Sequence, residues 1–190
     1  MEFSPAVVEE FTQAYEKVSG VAHVARTMDD VPGIVTAIAA ERNAEYIALA
    51  NLPDGLDAAI AAACEGVGLR VLREPYDAAA LPGLIDQAHV GVTGIAFAIA
   101  QTGTLVEVAT DDAVRLVSAL PRTHIGIVRA ADLVARYDDA APRVRELFAE
   151  NAANCVVSFL SGPSRTGDIE LKLTLGVHGP ESAHAIIVLE

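Results

Sequence analysis

The sequence predicts an α/β fold: a single domain over residues 1–190, with a mixed, mostly parallel sheet flanked by helices. Three observations predict it. Continuous apolar runs of strand length, such as Tyr46-Ile47-Ala48-Leu49-Ala50, alternate with segments of helical periodicity. The connections between them are short, as in a parallel sheet covered on both faces. Apolar residues make up 52% of the chain and aromatic ones only 5%, so the core is expected to be close-packed Ala, Val, Leu and Ile.

Ser4 and Pro5 open a first helix over about residues 4–19. The hydroxyl is a candidate N-cap, the proline presets the first φ angle, and Val7, Val8, Phe11, Ala14, Tyr15 and Val18 share a face. Gly20 closes it, and a short apolar segment follows at His23-Val24. A helix from about Asp30 places Val31, Ile34, Val35 and Ile38 on one side. After the Tyr46–Ala50 strand, Asp54 is expected to cap a helix carrying Leu56, Ile60, Ala63 and Val67, and Leu69-Arg70-Val71-Leu72 gives the next strand. From residue 90 the pattern changes to consecutive strands: Val90 to Val92, Ile95 to Ala100, a turn at Thr102-Gly103, and Thr104 to Ala109. Then come a short helix over Asp112 to Leu120, a strand Ile125 to Val128, and helical material from about Ala131 to Glu150. Asn154 to Leu160 and Ala185 to Leu189 are closing strands. Between these, Ile169, Leu171, Leu173 and Leu175 alternate as in a strand, yet Thr166 or Asp168 would equally cap a short helix; both readings stay open.

Composition excludes several roles. Acidic residues outnumber basic ones 26 to 13 and the basic ones are scattered, so a nucleic-acid footprint is not expected. The start, Met1-Glu2-Phe3-Ser4-Pro5, lacks the basic and apolar regions of an export signal, and a cytoplasmic location is expected. The uncharged stretch between Asp86 and Glu107 carries His89, Thr93, Gln101, Thr102 and Thr104. It therefore reads as buried strands rather than a membrane span. Cys64 and Cys155 stand far apart, which points to neither a zinc site nor a disulfide framework, and an iron–sulfur cluster usually takes four thiolates. No cofactor is expected in this chain, and the histidines at 23, 89, 124, 178 and 184 show no metal-ligand spacing. A dinucleotide fingerprint and a P-loop are both absent from the sequence.

The densest polar cluster is Ser161-Gly162-Pro163-Ser164-Arg165-Thr166-Gly167-Asp168, directly after an apolar strand. Its hydroxyls, glycines and fixed positive charge are the ingredients of an anion pocket at a strand end, suited to a carboxylate or phosphate. The alternative is a tight loop whose Ser and Thr side chains only satisfy their own backbone. Gln101-Thr102-Gly103-Thr104, with Thr93-Gly94 upstream, and Pro121-Arg122-Thr123-His124 place further polar groups at strand ends, against the alternative of plain turn chemistry. His178-Gly179-Pro180 marks a turn. The candidate ligand-binding residues are thus Thr93, Gln101, Thr102, Arg122, His124, Ser161, Ser164, Arg165, Thr166, Asp168 and His178, with no catalytic residue singled out.

These segments resemble the lactate utilization protein C (LUD-domain) family. Gly91-Val92-Thr93-Gly94 through Ala98-Ile99-Ala100-Gln101-Thr102-Gly103-Thr104-Leu105 is similar to its ITGADFAIAETGTL pattern. Leu120-Pro121 with His124-Ile125, Ser161 through Glu170, and Gly176-Val177-His178-Gly179-Pro180 follow the rest of its order. The resemblance implies a NagB/RpiA/CoA-transferase-like fold and a place in a multi-protein system that oxidises L-lactate to pyruvate. It further implies that partner proteins carry the iron–sulfur clusters and that this chain is a non-redox subunit with an anion site. An independent enzyme on a small phosphorylated or acyl substrate, or a regulatory binding module, is the rival reading. The chain departs from the pattern at Ile95-Ala96, where the family has Ala-Asp, at Gln101, where it has Glu, and at Gly167, where it has Ala. An amide at 101 cannot form the acyl intermediate of a CoA transferase, so catalysis centred there is not expected.

Overall fold

The computed structural model describes residues 3–167 and 173–190. In chain order the elements are α1 (Pro5–Lys17), β1 (Val21–Ala25), α2 (Val31–Glu41), β2 (Tyr46–Ala50), α3 (Leu56–Gly66), β3 (Arg70–Leu72), β4 (Val90–Gly94), β5 (Phe97–Ile99) and β6 (Thr104–Ala109). They continue with α4 (Asp112–Ala119), β7 (Thr123–Arg129), β8 (Leu133–Val134), α5 (Ala140–Glu150), β9 (Val156–Leu160), β10 (Arg165–Gly167), β11 (Leu173–Leu175) and β12 (Ser182–Val188).

Six strands form the main sheet in the order β1-β12-β7-β4-β2-β3, and every neighbouring pair is parallel. The mixed character expected of the sheet resides in a second, four-stranded sheet, β8-β5-β6-β9, and in a β10-β11 hairpin. The strand reading for Leu173 and Leu175 is thereby correct, while residues 168–172 lie outside the described residues.

The faces of the main sheet are built from different side chains. On one, Ile47, Leu49, Val90, Val92, Ile125, Ile127 and Ile186 pack against Val35 and Ile38 of α2 and Ile60 of α3. On the other, small residues let neighbours approach closely. A Cβ on Gly91 would collide with the Val117 carbonyl of α4, and one on Gly126 would meet Leu105 and Ile95. Ala98, Leu105, Ala183, Ala185 and Ile187 join α1 through Phe11 and Tyr15 on this side, and Ala48 and Ala50 meet Val114 and Val117 of α4.

Three local expectations are corrected. Asp54 does not cap α3: Gly55, at φ 80°, is the N-cap, and the turn closes through Leu56 N–H donating to the Pro53 carbonyl at 3.0 Å. Ser4 is the N-cap of α1 by position, but its side chain makes no capping bond; its carbonyl accepts from Val7 and Val8 instead. The helical material expected from Ala131 is interrupted: 3-10 turns at Ala130–Asp132 and Tyr137–Asp139 flank β8, and the α-helix itself begins at Ala140. A helix running through from 131 would hold Pro142 in its interior, whereas here Pro142 sits in the first turn, where its missing N–H costs nothing. The upstream Leu133-Val134 is taken instead as a parallel strand against Ala98-Ile99.

Candidate functional site

All six main strands are parallel, so the sheet has one amino edge and one carboxyl edge. Open α/β sheets receive ligands at the carboxyl edge, where successive connections leave in opposite directions. Here that point lies between β2 and β4. The chain leaves β2 through α3 to β3 on one side, and leaves β4 through β5, β6 and α4 to β7 on the other. The strand ends diverge around a cleft of about 430 Å³, within the ordinary size of a small-molecule site. Leu52, Pro53, Ile95 and Ile127 give it apolar walls, and Asn51, Arg129 and Asp132 give it polar groups. The floor is set by backbone contact: Asn51 is left-handed at φ 53°, and a Cβ on Gly94 would strike its carbonyl. Arg129 donates through Nε to Asp132 at 2.8 Å, and Arg143 donates to the other Asp132 oxygen at 3.3 Å. That arrangement orients the Arg129 guanidinium through one nitrogen, and its terminal nitrogens have no ion-pair partner among the described residues. A planar guanidinium held in this way suits a carboxylate bidentately.

The residues singled out from the sequence fall elsewhere, in two groups. Thr93 and His124 are buried on the small-residue face, inside rather than at the surface of a strand end. Thr93 Oγ1 is 2.8 Å from His124 Nε2 and 3.0 Å from Glu107 Oε2, and Ser118 Oγ donates to Glu107 Oε1 at 2.9 Å. This chain ties β4, β7, β6 and α4 together. Burial pushes the Glu107 carboxyl up from its ordinary range, against the stabilising Ser118 and Thr93 hydroxyls. Burial, with the neighbouring His184 adding to it, holds His124 down at about 4, so its imidazole is neutral at pH 7.

The second group gathers at turns near the amino edge. Thr102 Oγ1 lies 2.7 Å from Thr104 Oγ1, which lies 2.8 Å from Ser161 Oγ, so the structure joins the two loops expected to share a site. Gln101 points the other way: its Oε1 accepts from Tyr137 N–H at 3.0 Å. The Ser164 hydroxyl accepts from the His178 N–H at 3.2 Å, and its backbone bonds Pro180 and Gly176, which folds the two loops onto each other. Arg122 is engaged by Glu181 in an exposed ion pair, and the Arg122 carbonyl receives the N–H groups of Glu181 and Ser182. Arg165 and His178 are exposed. Thr166 lies in the β10-β11 ladder opposite Thr174, and Asp168 lies outside the described residues.

Sequence reasoning passes over Glu107, Ser118, Arg129 and a cluster of Arg42, His23, Ser182 and His184. Signals for some of them exist. Glu107 is a lone charge inside the apolar strand Thr104–Ala109, and Arg129 ends the apolar strand β7 at the edge where ligands gather. Among the described residues no group of three or more His, Cys, Asp or Glu side chains is placed to hold a metal ion, and no helix is long and apolar enough to cross a membrane.

A doubly wound parallel sheet with a second sheet packed on its small-residue face, and a guanidinium-bearing cleft at its switch point, defines the class of this α/β protein. Residues 8–188 match the LUD domain, and the chain belongs to that family. It is 40% identical over 107 residues to lactate utilization protein C of Shouchella clausii (strain KSM-K16), a match covering 55% of this chain and 47% of that protein. To lactate utilization protein C of Bacillus subtilis (strain 168) it is 38% identical over 105 residues, covering 54% and 43%. The chain thus spans about half the length of the curated relatives it matches. A crystal structure of a DUF162 family protein from Deinococcus radiodurans has the same fold, with a TM-score of 0.67, 22% identity and 96% of each chain covered.

Proposed function

We propose that this chain serves lactate utilization as a subunit without redox chemistry of its own, holding a small carboxylate at Arg129 in the carboxyl-edge cleft. Iron–sulfur proteins partner it and take the electrons. Removing two electrons from a 2-hydroxy acid needs an acceptor, and two separated cysteines do not provide the usual thiolate set for a cluster. The observation that carries the reading is the cleft itself: apolar walls suited to a short carbon chain, and one guanidinium held through Nε by Asp132, its terminal nitrogens without an ion-pair partner among the described residues.

A second placement of the ligand is favoured by the Thr102–Thr104–Ser161 hydroxyl chain, with Arg165 as its charge partner. Calorimetric titration of the whole chain with lactate and pyruvate separates the two. Arg129→Ala should weaken binding by roughly 1.5–3 kcal/mol, tenfold or more, while Arg165→Ala leaves it unchanged. The reverse pattern moves the site to the amino edge. Reconstitution with iron–sulfur partners tests the wider role: full lactate turnover without this chain would sink the subunit reading, and turnover by this chain alone would make it an independent enzyme.

A further inference from the structure

At the amino edge, on the face covered by α2, four side chains outside both placements form one directed hydrogen-bond chain. Ser182 Oγ is 3.0 Å from His184 Nε2, and His184 Nδ1 is 3.0 Å from His23 Nε2. Arg42, just past the end of α2, donates from Nη2 to Ser182 Oγ at 2.8 Å. Ser182 and His184 are two residues apart on β12, so they share a face of the sheet, and His23 joins them from β1 with its ring stacked on His184 at a 19° interplanar angle.

We propose that Ser182, His184 and His23, with Arg42 beside them, form a nucleophilic serine site for small esters that carry a negative charge.

The direction of the bonds supports the roles. A guanidinium only donates, so Arg42 occupies a lone pair of Ser182 Oγ and the hydroxyl proton is directed at His184 Nε2. An imidazole accepting at Nε2 carries its proton on Nδ1, and it gives that proton to His23 Nε2. The order is nucleophile, base and orienting group, each at hydrogen-bond distance. Burial first, then the nearby His23 and Arg42, holds His184 down at about 4, which keeps it in the proton-accepting form at neutral pH. The Glu41 carboxylate acts on His23 in the opposite sense to burial, as a counter-charge at the end of the chain. Ser182 and His184 are buried, at 9% and 2% exposed, and the exposed Arg42 side chain bonded to Ser182 is the group that a substrate has to move aside to enter.

In the reaction, Ser182 Oγ bonds to the acyl carbon as its proton passes to His184 Nε2, and the Arg42 guanidinium faces the oxyanion and the substrate's charge. Collapse breaks the bond to the leaving oxygen, which takes the proton from Nε2. Water then attacks the acyl-serine, gives one proton to His184, and the serine recovers it as the acid departs. One ester and one water yield one acid and one alcohol.

The test uses the whole chain and an alkyl fluorophosphonate, read by intact mass and peptide mapping, together with hydrolysis of p-nitrophenyl acetate and its anionic analogue p-nitrophenyl succinate. The folded wild type should take one adduct, at Ser182. Ser182→Ala should abolish it, and His184→Gln should slow labelling about a hundredfold or more. Arg42→Gln should raise KM for the succinate ester well beyond that for the acetate ester. Ser182→Cys preserves size and should alkylate with iodoacetamide faster than Cys155, so the proposal remains testable if the alanine variant misfolds. No adduct at Ser182 on folded wild type, or equal labelling in His184→Gln, would show that the chain only pins β1, β12 and α2 together.

Discussion

At the carboxyl edge of the parallel sheet the strand ends diverge and leave a cleft with apolar walls and one oriented guanidinium. At the amino edge the strand beginnings run instead into close-set hydroxyls, imidazoles and cations that already bond one another. The first is made by topology: β2 and β4 send their connections in opposite directions, and close backbone contact between Gly94 and Asn51 fixes the floor. The second is made by side chains meeting across β12, β1 and the loops around Ser161 and His178. One edge therefore depends on backbone shape and the other on protonation, and each dependence can be broken separately.

The largest effect is expected from Gly94→Ala. Its Cβ would strike the Asn51 carbonyl, and Asn51 is already left-handed, so the backbone has little room to yield. A loss of about 3 kcal/mol in urea unfolding is expected, with loss of carboxylate binding and fluorophosphonate labelling retained in the folded fraction. Equal damage to both activities would mean that the two edges are not independent.

Comparable in size is an acid response located in the amino half of the strands. His124 and His184 are both held at about 4 in the folded chain against an ordinary 6.5, so between those values the unfolded chain binds more protons. Their contribution is present above pH 6.5 and is lost as pH falls toward 4, by about 3 kcal/mol for the fully buried His124. Glu107 acts in the other sense. Its raised folded value means that its contribution is complete at low pH and is lost as pH rises through that value. Urea midpoints between pH 7 and pH 4 should fall steeply, and His124→Gln should flatten the fall. An unchanged slope in that variant would remove His124 as the cause.

The sheet is legible in the sequence because a buried parallel strand is a nearly unbroken apolar run, and β2, β4, β7 and β12 all read that way. The stretch from 131 to 139 is legible only in part, because pairing of Leu133-Val134 with β5 breaks its helical material into two 3-10 turns. For the candidate site, local density of polar residues picks out the Thr102 and Ser161 loops, whose hydroxyls meet through Thr104. It misses Arg129 and the Ser182 chain, whose members are lone polar residues on separate elements. His23 and His184 meet only because β1 and β12, the first and last strands of the chain, lie side by side. No spacing rule within one segment encodes that adjacency.

The smallest expected effect is at Gln101, where the family pattern has glutamate. Its Oε1 accepts from the Tyr137 N–H, and its own N–H donates to the Ala135 carbonyl at 3.0 Å, so the residue stitches the Gly103 turn to the segment ahead of α5. Gln101→Glu keeps an acceptor at that place. It adds a negative charge near Asp138 and Asp139, which follow Tyr137 in the sequence, but at an exposed position, where such repulsion is weak. A stability change of no more than about 0.5 kcal/mol is expected. No gain in turnover of lactate or of acyl esters should accompany it, because a carboxylate engaged by a backbone N–H is a stabilised anion and a poor nucleophile. Thermal unfolding and turnover assays on the two proteins check both halves. A large gain in acyl turnover would make position 101 a catalytic carboxylate and would move the chemistry from the sheet edges to the β5-β6 turn.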